Sequence, residues 1–107
     1  MVNRFVRIIL FFDIPNTTSQ QRKGYSKFRK QLINNGYIMM QESVYTKLAV
    51  NRQTMELEIN KIKTFLPKSG LIQVLTVTEM QFARIQTLLG DEYPHAEINS
   101  LDRLIVL

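Results

Sequence analysis

The chain has 107 residues, of which 45% are hydrophobic and 21% charged, and it contains no cysteine. That length allows one domain with a real core, and the missing cysteines exclude disulfides, zinc–thiolate sites and thiol catalysis. No apolar run reaches the roughly 18 residues of a membrane span, and the N-terminus lacks the order of a signal peptide. We therefore expect a single cytoplasmic domain over residues 1–107 that does not enter membranes.

Positive charge is concentrated in the first third of the chain. The formal net charge is +5, and residues 1–35 carry seven basic side chains against the single acid Asp13. Residues 36–107 carry seven basic and eight acidic side chains. A basic patch of this kind favours an anionic partner, most often nucleic acid. Charge alone leaves open the alternative that the patch is only a solvated face.

Residues 5–12 predict a buried strand. They are apolar except for Arg7, which is typical of a central strand that is buried on both faces. Pro15 cannot continue a ladder of hydrogen bonds, so we expect the strand to end near Asp13.

A basic amphipathic helix is predicted next, reaching to about residue 34. Thr18 and Gln21 form its capping box, and Gly36 follows it as a C′ residue. An apolar stripe of Tyr25, Phe28 and Leu32 faces the core. The cations occupy the outward arc, at Arg22, Lys23, Lys27, Arg29 and Lys30.

The remaining elements complete an α+β pattern: two short strands, a helix capped by Asn51, a strand, a short third helix and a terminal strand. In order, they cover residues 37–49, 51–66, 71–77, 78–90 and 103–107. The order β-α-β-β-α-β, with an extra helix and strand, is the ferredoxin-like pattern. Its helices cover one face of the sheet only, so the doubly apolar first strand predicts a homodimer in which a second copy covers the other face.

Asp13, between the strand and the basic helix, is the candidate for chemistry. Alone it is more simply interpreted as a cap or turn residue, and one carboxylate is a weak magnesium site. If two copies meet at their first strands, however, Asp13 faces its symmetry mate, and two carboxylates can hold one hydrated metal ion. The sole histidine, His95, lies in a turn-like segment and is expected to be exposed and without a role.

Four segments together resemble the CRISPR-associated protein 2 family, the small subunit of the spacer-acquisition machinery. They are "FFDIP" (11–15), "RKGYSKFRKQLINNGY" (22–37), "QESVYTKL" (41–48) and "LTVTEMQFARIQTLLG" (75–90). The last segment is most similar to members from type II systems. The resemblance implies a ferredoxin-like homodimer whose paired Asp13 carboxylates bind Mg²⁺ between subunits and support metal-dependent endonuclease activity on RNA or DNA.

The resemblance also implies an architectural role. The dimer would lie between dimers of the larger CRISPR integrase subunit and hold duplex DNA, pre-spacer and repeat, during spacer acquisition. Phosphate contacts would be independent of sequence. Apart from the resemblance, a terminal strand can pair across chains, so we expect the sheet edge near the terminal strand to dock the integrase subunit. The residues expected to contact phosphates are Asn16, Arg22, Lys23, Lys27 and Lys30.

The signature positions of the family are matched in part. Gln41, Ser43 and Tyr45 stand where the family has Gln, Ser and an aromatic residue. Phe12 replaces a Tyr that many members have before the aspartate, and Met39 replaces an Arg of some nuclease-active members. Both departures remove polar groups from the proposed active site, which favours the scaffold role over catalysis.

Two other functions fit the residues. One is a Mg-dependent endoribonuclease or endodeoxyribonuclease that acts on its own. The other is a non-catalytic ferredoxin-like RNA-binding or regulatory module, in which Phe5, Phe11 and Tyr45 would stack on bases from the outer face of the sheet. Because aromatic residues in strands are more often core or interface, the DNA-binding scaffold is the main hypothesis.

Overall fold

A computed structural model describes residues 5–90. The elements are β1 (Val6–Asp13), α1 (Ser19–Asn34), β2 (Ile38–Gln41), β3 (Val44–Ala49), α2 (Arg52–Ile62), a 3-10 turn (Lys63–Phe65), β4 (Leu71–Thr78) and α3 (Glu79–Phe82). The strands form one antiparallel sheet in the order β2-β3-β1-β4, which confirms the predicted α+β, ferredoxin-like fold. The predicted terminal strand and His95 lie outside the described residues. No helix of the described part has the length and apolarity needed to cross a membrane.

The side chains of the central strand β1 alternate between the two faces of the sheet. Because side chains alternate along a strand, Ile8, Leu10 and Phe12 point to the helices, where they are buried in the core. The opposite side, which we call the second face, carries the other β1 side chains and their neighbours on β3 and β4. The β1 members of the second face are Arg7, Ile9, Phe11 and Asp13.

Helices α1 and α2 pack on the first face. Phe28 of α1 and Met55 and Ile62 of α2 are buried there, and each buried apolar side chain of this size stabilises the fold by roughly 1.5–3 kcal/mol. After Ile62 the helix tightens into the 3-10 turn, which directs Phe65 into the core, 5.7 Å from the ring of Phe28. Leu66, which continues the apolar spacing in the sequence, is 49% exposed.

Side-chain caps start both long helices as the sequence predicts. Thr18 accepts a hydrogen bond from the Gln21 backbone at 3.1 Å, and the Gln21 side chain accepts one from the Thr18 backbone at 3.0 Å. Asn51 accepts a hydrogen bond from Thr54 N–H at 2.7 Å at the start of α2. Beyond α1, Gly36 has a φ of +89°, a left-handed conformation that favours glycine.

The third helix is shorter than predicted. Thr78 and Gln81 form a second capping box, but α3 ends at Phe82. A helix needs an apolar face packed against the protein to persist, and Leu88 is 91% exposed. Residues 83–90 therefore lack the burial that would hold further helical turns.

A buried ion pair holds α3 against the second face. Arg7 Nε donates to Glu79 Oε1 at 2.8 Å, and Arg7 Nη2 donates to Glu79 Oε2. The guanidinium lies 4.3 Å from the centroid of the Phe82 ring, and Arg7 and Glu79 are 1% and 2% exposed. Arg7, the polar residue that interrupts the apolar run of β1, thus pairs with a residue 72 positions away in the sequence.

Candidate functional site

Asp13 lies at the end of β1 and is exposed. It borders an open pocket of about 220 Å³ formed by β1, β4 and the turn between β2 and β3. Ser43, in that turn, is held beside β1 because its carbonyl accepts the Phe12 N–H at 3.0 Å. The lining residues are Phe11, Phe12, Asp13, Ser43, Val44, Leu71 and Gln73. Of the predicted signature positions, the structure thus places Phe12 and Ser43 in the pocket lining with Asp13.

Gly70 fixes the approach of β4 to this pocket. Its φ is +116°, and a Cβ at this position would lie 2.8 Å from the carbonyl oxygen of Asp13. Any other residue would therefore be strained and would push the backbone that carries the carboxylate. Sequence reasoning missed Gly70 and the pocket residue Gln73, because no local signal connects them to Asp13.

The oxygen atoms that line the pocket suit a hard cation such as Mg²⁺, which prefers oxygen ligands. The Asp13 carboxylate, the Ser43 hydroxyl and the Gln73 amide oxygen are of this type. Within residues 5–90, however, no group of three His, Asp or Glu side chains could hold a metal ion. One copy supplies a single carboxylate to the pocket, so the metal hypothesis requires a second copy of the chain.

Phe12 and Met39 project to the side of the sheet opposite Asp13. The Phe12 ring lies 5.5 Å from the rings of Phe28 and Tyr45 in the core. Met39 pairs with Tyr45 across β2 and β3 and packs against the same core. Phe12 nevertheless contributes to the lining of the pocket beside Asp13, whereas Met39 does not. The expectation that these two departures weaken catalysis stays a prediction.

Tyr45 and Gln41 are also separated from the Asp13 pocket. Tyr45 is fully buried on the helix-covered face, so it cannot stack on bases, which corrects that part of the RNA-binding alternative. Phe5 and Phe11 are 42% and 38% exposed. Gln41 is exposed at the end of β2, beside a register shift in its pairing with β3.

The helix α1 is strongly cationic and carries no acidic residue. Its five basic side chains, Arg22, Lys23, Lys27, Arg29 and Lys30, are all exposed. Helical spacing places three of them opposite the buried core residues of the helix, and none of these three forms an ion pair with a described residue. We call this set, Lys23, Lys27 and Lys30, the lysine stripe.

The two arginines of α1 lie on one flank of the helix. Arg22 Nη1 donates to the Thr17 carbonyl at 2.6 Å, close in sequence to the exposed Asn16. Arg29 Nε donates to the Tyr45 hydroxyl at 2.7 Å. This hydrogen bond raises the pKa of the Arg29 guanidinium, and burial raises the pKa of the Tyr45 phenol. At neutral pH Arg29 is therefore charged and Tyr45 is protonated.

Known proteins resemble this chain over most of its length. A family model described as CRISPR associated protein Cas2 matches residues 6–85. A protein of Ligilactobacillus salivarius named CRISPR-associated endoribonuclease Cas2 is 43% identical over 95% of this chain and 100% of its own length. Proteins of the same name from Treponema denticola and Streptococcus mutans are 42% and 47% identical, over 95% of this chain and 100% and 93% of their own lengths. On this similarity, the chain belongs to the CRISPR-associated protein Cas2 family.

Proposed function

We propose that this protein is a homodimeric, duplex-DNA-binding subunit that acts in CRISPR spacer acquisition and bridges the larger integrase subunits. The lysine stripe is the observation that carries the proposal, because its three cations are exposed on a helix without acids. Contacts between lysines and phosphates are driven by charge and carry no sequence information. A protein that must accept DNA of any sequence requires contacts of this kind.

The second face of the sheet supports the homodimer. Phe11, Leu71 and Leu75 are 38%, 55% and 51% exposed on this face. Exposed apolar side chains grouped on one face of a sheet are typical of an interaction surface. A two-fold related copy would cover the patch with the same residues and would place two lysine stripes in one assembly. The distance between the stripes would then set the length of duplex that the dimer holds.

Replacing the lysine stripe tests duplex binding. In the triple variant Lys23→Gln, Lys27→Gln and Lys30→Gln we expect weaker binding of a labelled duplex. The slope of log affinity against log salt should fall by about 0.9 for each phosphate that the protein no longer neutralises. Fluorescence anisotropy over a salt series measures both quantities. The matched control makes the same charge change at three other exposed lysines, Lys61, Lys63 and Lys68, and should retain the wild-type slope. The proposal would be contradicted by equal weakening in the two triple variants, or by wild-type binding that does not depend on salt concentration.

A charge on the second face tests the dimer. We expect Leu75→Arg to yield monomers in analytical ultracentrifugation and to weaken duplex binding, because each charged side chain would have to be buried at the contact. Leu57→Arg is the control, since Leu57 is 67% exposed on α2 and lies outside the proposed contact. A Leu75→Arg protein that stays dimeric would place the contact elsewhere.

A second activity is supported by the Asp13 pocket and by the names of the relatives. We propose that two Asp13 carboxylates, one from each copy, hold Mg²⁺ and that the dimer cleaves phosphodiester bonds in RNA or DNA. A bound ion of this type supplies a nucleophilic water and stabilises charge on the phosphate. Three features of the chain position the Asp13 carboxylate. They are the end of β1, the close approach of Gly70 and the turn that holds Ser43.

A further inference from the structure

Arg29 differs from the lysine stripe because its guanidinium is already held in place. Its Nε donates at 2.7 Å to the hydroxyl of Tyr45, a side chain that is 0% exposed. The Tyr45 ring is itself packed beside Phe12, at 5.5 Å between centroids. A long side chain usually loses rotamer freedom when it binds a ligand. Because of its hydrogen bond to Tyr45, Arg29 has already lost much of its rotamer freedom before a ligand binds.

The outer edge of the Arg29 guanidinium is available to a ligand. Neither Nη1 nor Nη2 donates to another residue in the described range, and the residue is exposed. These two nitrogens present the planar fork of donors that fits phosphate oxygens in pairs. A point-charge lysine cannot reproduce this geometry.

One carboxylate stands near this fork. Glu42, in the turn between β2 and β3, adds to the electrostatic field around Arg29 but is not within ion-pair distance of it. The turn is joined to α1, since the Tyr25 hydroxyl donates to the Glu42 carbonyl at 3.4 Å. The backbone of Glu42 is therefore tied to α1, and the negative charge of its exposed side chain would oppose a phosphate bound at Arg29.

We propose that Tyr45 is a positioning residue that holds Arg29 as a preorganised phosphate-binding fork on the flank of α1, and that Glu42 weakens phosphate binding there. This inference rests on the proposed duplex-binding function. It extends the interface from the lysine stripe around the helix toward the turn that carries Ser43 at the Asp13 pocket. It also gives the buried hydroxyl of Tyr45 a role in binding rather than in packing alone.

Two single variants and their combination test the positioning role. Tyr45→Phe removes the hydroxyl but keeps the charge of Arg29, so we expect duplex affinity to fall about 3- to 10-fold with an unchanged salt slope. Arg29→Gln should weaken binding by at least as much and lower the slope by about 0.9. In the Arg29→Gln background, Tyr45→Phe should have no further effect, because the two residues act as one unit. Additive effects of the two substitutions would overturn the proposal.

A spectroscopic signature and a gain of affinity separate positioning from a merely structural role. The Nε–H resonance of Arg29 should be observable by NMR in the wild type and should disappear by exchange with water in Tyr45→Phe. Glu42→Gln should tighten duplex binding in the wild type, by about 2-fold or more, and should have a smaller effect in the Arg29→Gln background. Equal effects of Glu42→Gln in both backgrounds would show a general charge effect and overturn the proposal.

Tyr37→Phe is the matched control for the removal of a buried hydroxyl. Tyr37 is 3% exposed, and its hydroxyl has no hydrogen-bond partner in the described part of the chain. We expect this variant to bind duplex as the wild type does; an equal fall in affinity in Tyr37→Phe and Tyr45→Phe would overturn the proposal.

The lysine triple variant distinguishes failure of this inference from failure of the proposed function. If that variant binds weakly while Tyr45→Phe and Arg29→Gln bind normally, the function stands and the inference is overturned. If the wild type shows no salt-dependent duplex binding, both are overturned.

Discussion

We expect Asp13→Asn to abolish Mg²⁺-dependent cleavage of RNA while leaving the fold and duplex binding intact. Asparagine keeps the size of the side chain but lacks the charge that a hard cation requires. Because Asp13 is exposed, the substitution leaves no buried group without a partner. Cleavage of labelled single-stranded RNA and of duplex DNA, with Mg²⁺ or with EDTA, measures the effect. Glu56→Gln, at an exposed carboxylate of α2, is the control and should cleave as the wild type does.

Mixed dimers test whether the two copies share one site. If both Asp13 carboxylates hold one metal ion, a dimer with a single carboxylate is inactive. Random pairing of equal amounts of wild-type and Asp13→Asn chains should then leave about a quarter of the activity, against about a half for independent sites. Undiminished cleavage by the pure variant would exclude Asp13 from the chemistry. A wild type that binds duplex and never cleaves would remove the endonuclease proposal and leave the scaffold.

The elements of the fold could be predicted because each carries its own local signal. Thr18 with Gln21, and Asn51 at the next helix, are caps whose hydrogen bonds form within a few residues. The positive φ of Gly36 follows from the helix end that precedes it. The third helix was predicted too long, since its cap at Thr78 is real but the packing needed for more turns cannot be read from periodicity. The second helix, predicted to residue 66, ends at Ile62 and continues as the 3-10 turn.

The face of the sheet to which the Phe12 and Met39 side chains point could also have been derived from the sequence. Adjacent residues of a strand point to opposite faces, so the side chains of Phe12 and Asp13 leave the sheet on opposite sides. The resemblance to the Cas2 family placed them together as neighbours in a motif. In the structure the Phe12 ring lies in the aromatic core, although the residue still contributes to the lining of the pocket at Asp13.

Long-range partners could not be predicted. The bond between Arg29 and Tyr45 depends on how α1 lies over β3, and the contact of Gly70 with Asp13 depends on the register of β4. A single sequence carries no signal for either, because side chains that are far apart in the chain meet only after the sheet has formed. The roles proposed for these residues therefore could be argued only from the structure.

The buried pair of Arg7 and Glu79 leads to the largest expected effect on stability. We expect Glu79→Ala to lower the free energy of unfolding by about 3–5 kcal/mol, because it leaves a buried guanidinium without its counter-charge. Arg7 Nη1 already has no hydrogen-bond partner in the described range, so the fold offers no substitute acceptor. Urea denaturation measures the change. All variants are compared at one chain concentration, since the stability of a dimer depends on it.

Two further variants separate the effect of the charge from that of weaker packing of α3. Met80→Ala is the control on the same helix, where Met80 is 60% exposed, and it should change stability by no more than about 0.5 kcal/mol. Arg7→Met combined with Glu79→Leu removes both charges and should recover much of the stability, since apolar replacement of a buried pair is often neutral or stabilising. A decrease below about 1 kcal/mol in Glu79→Ala would mean that water reaches the Arg7 guanidinium when α3 opens. In that case the attachment of α3 would depend on Phe82 against the sheet rather than on the ion pair.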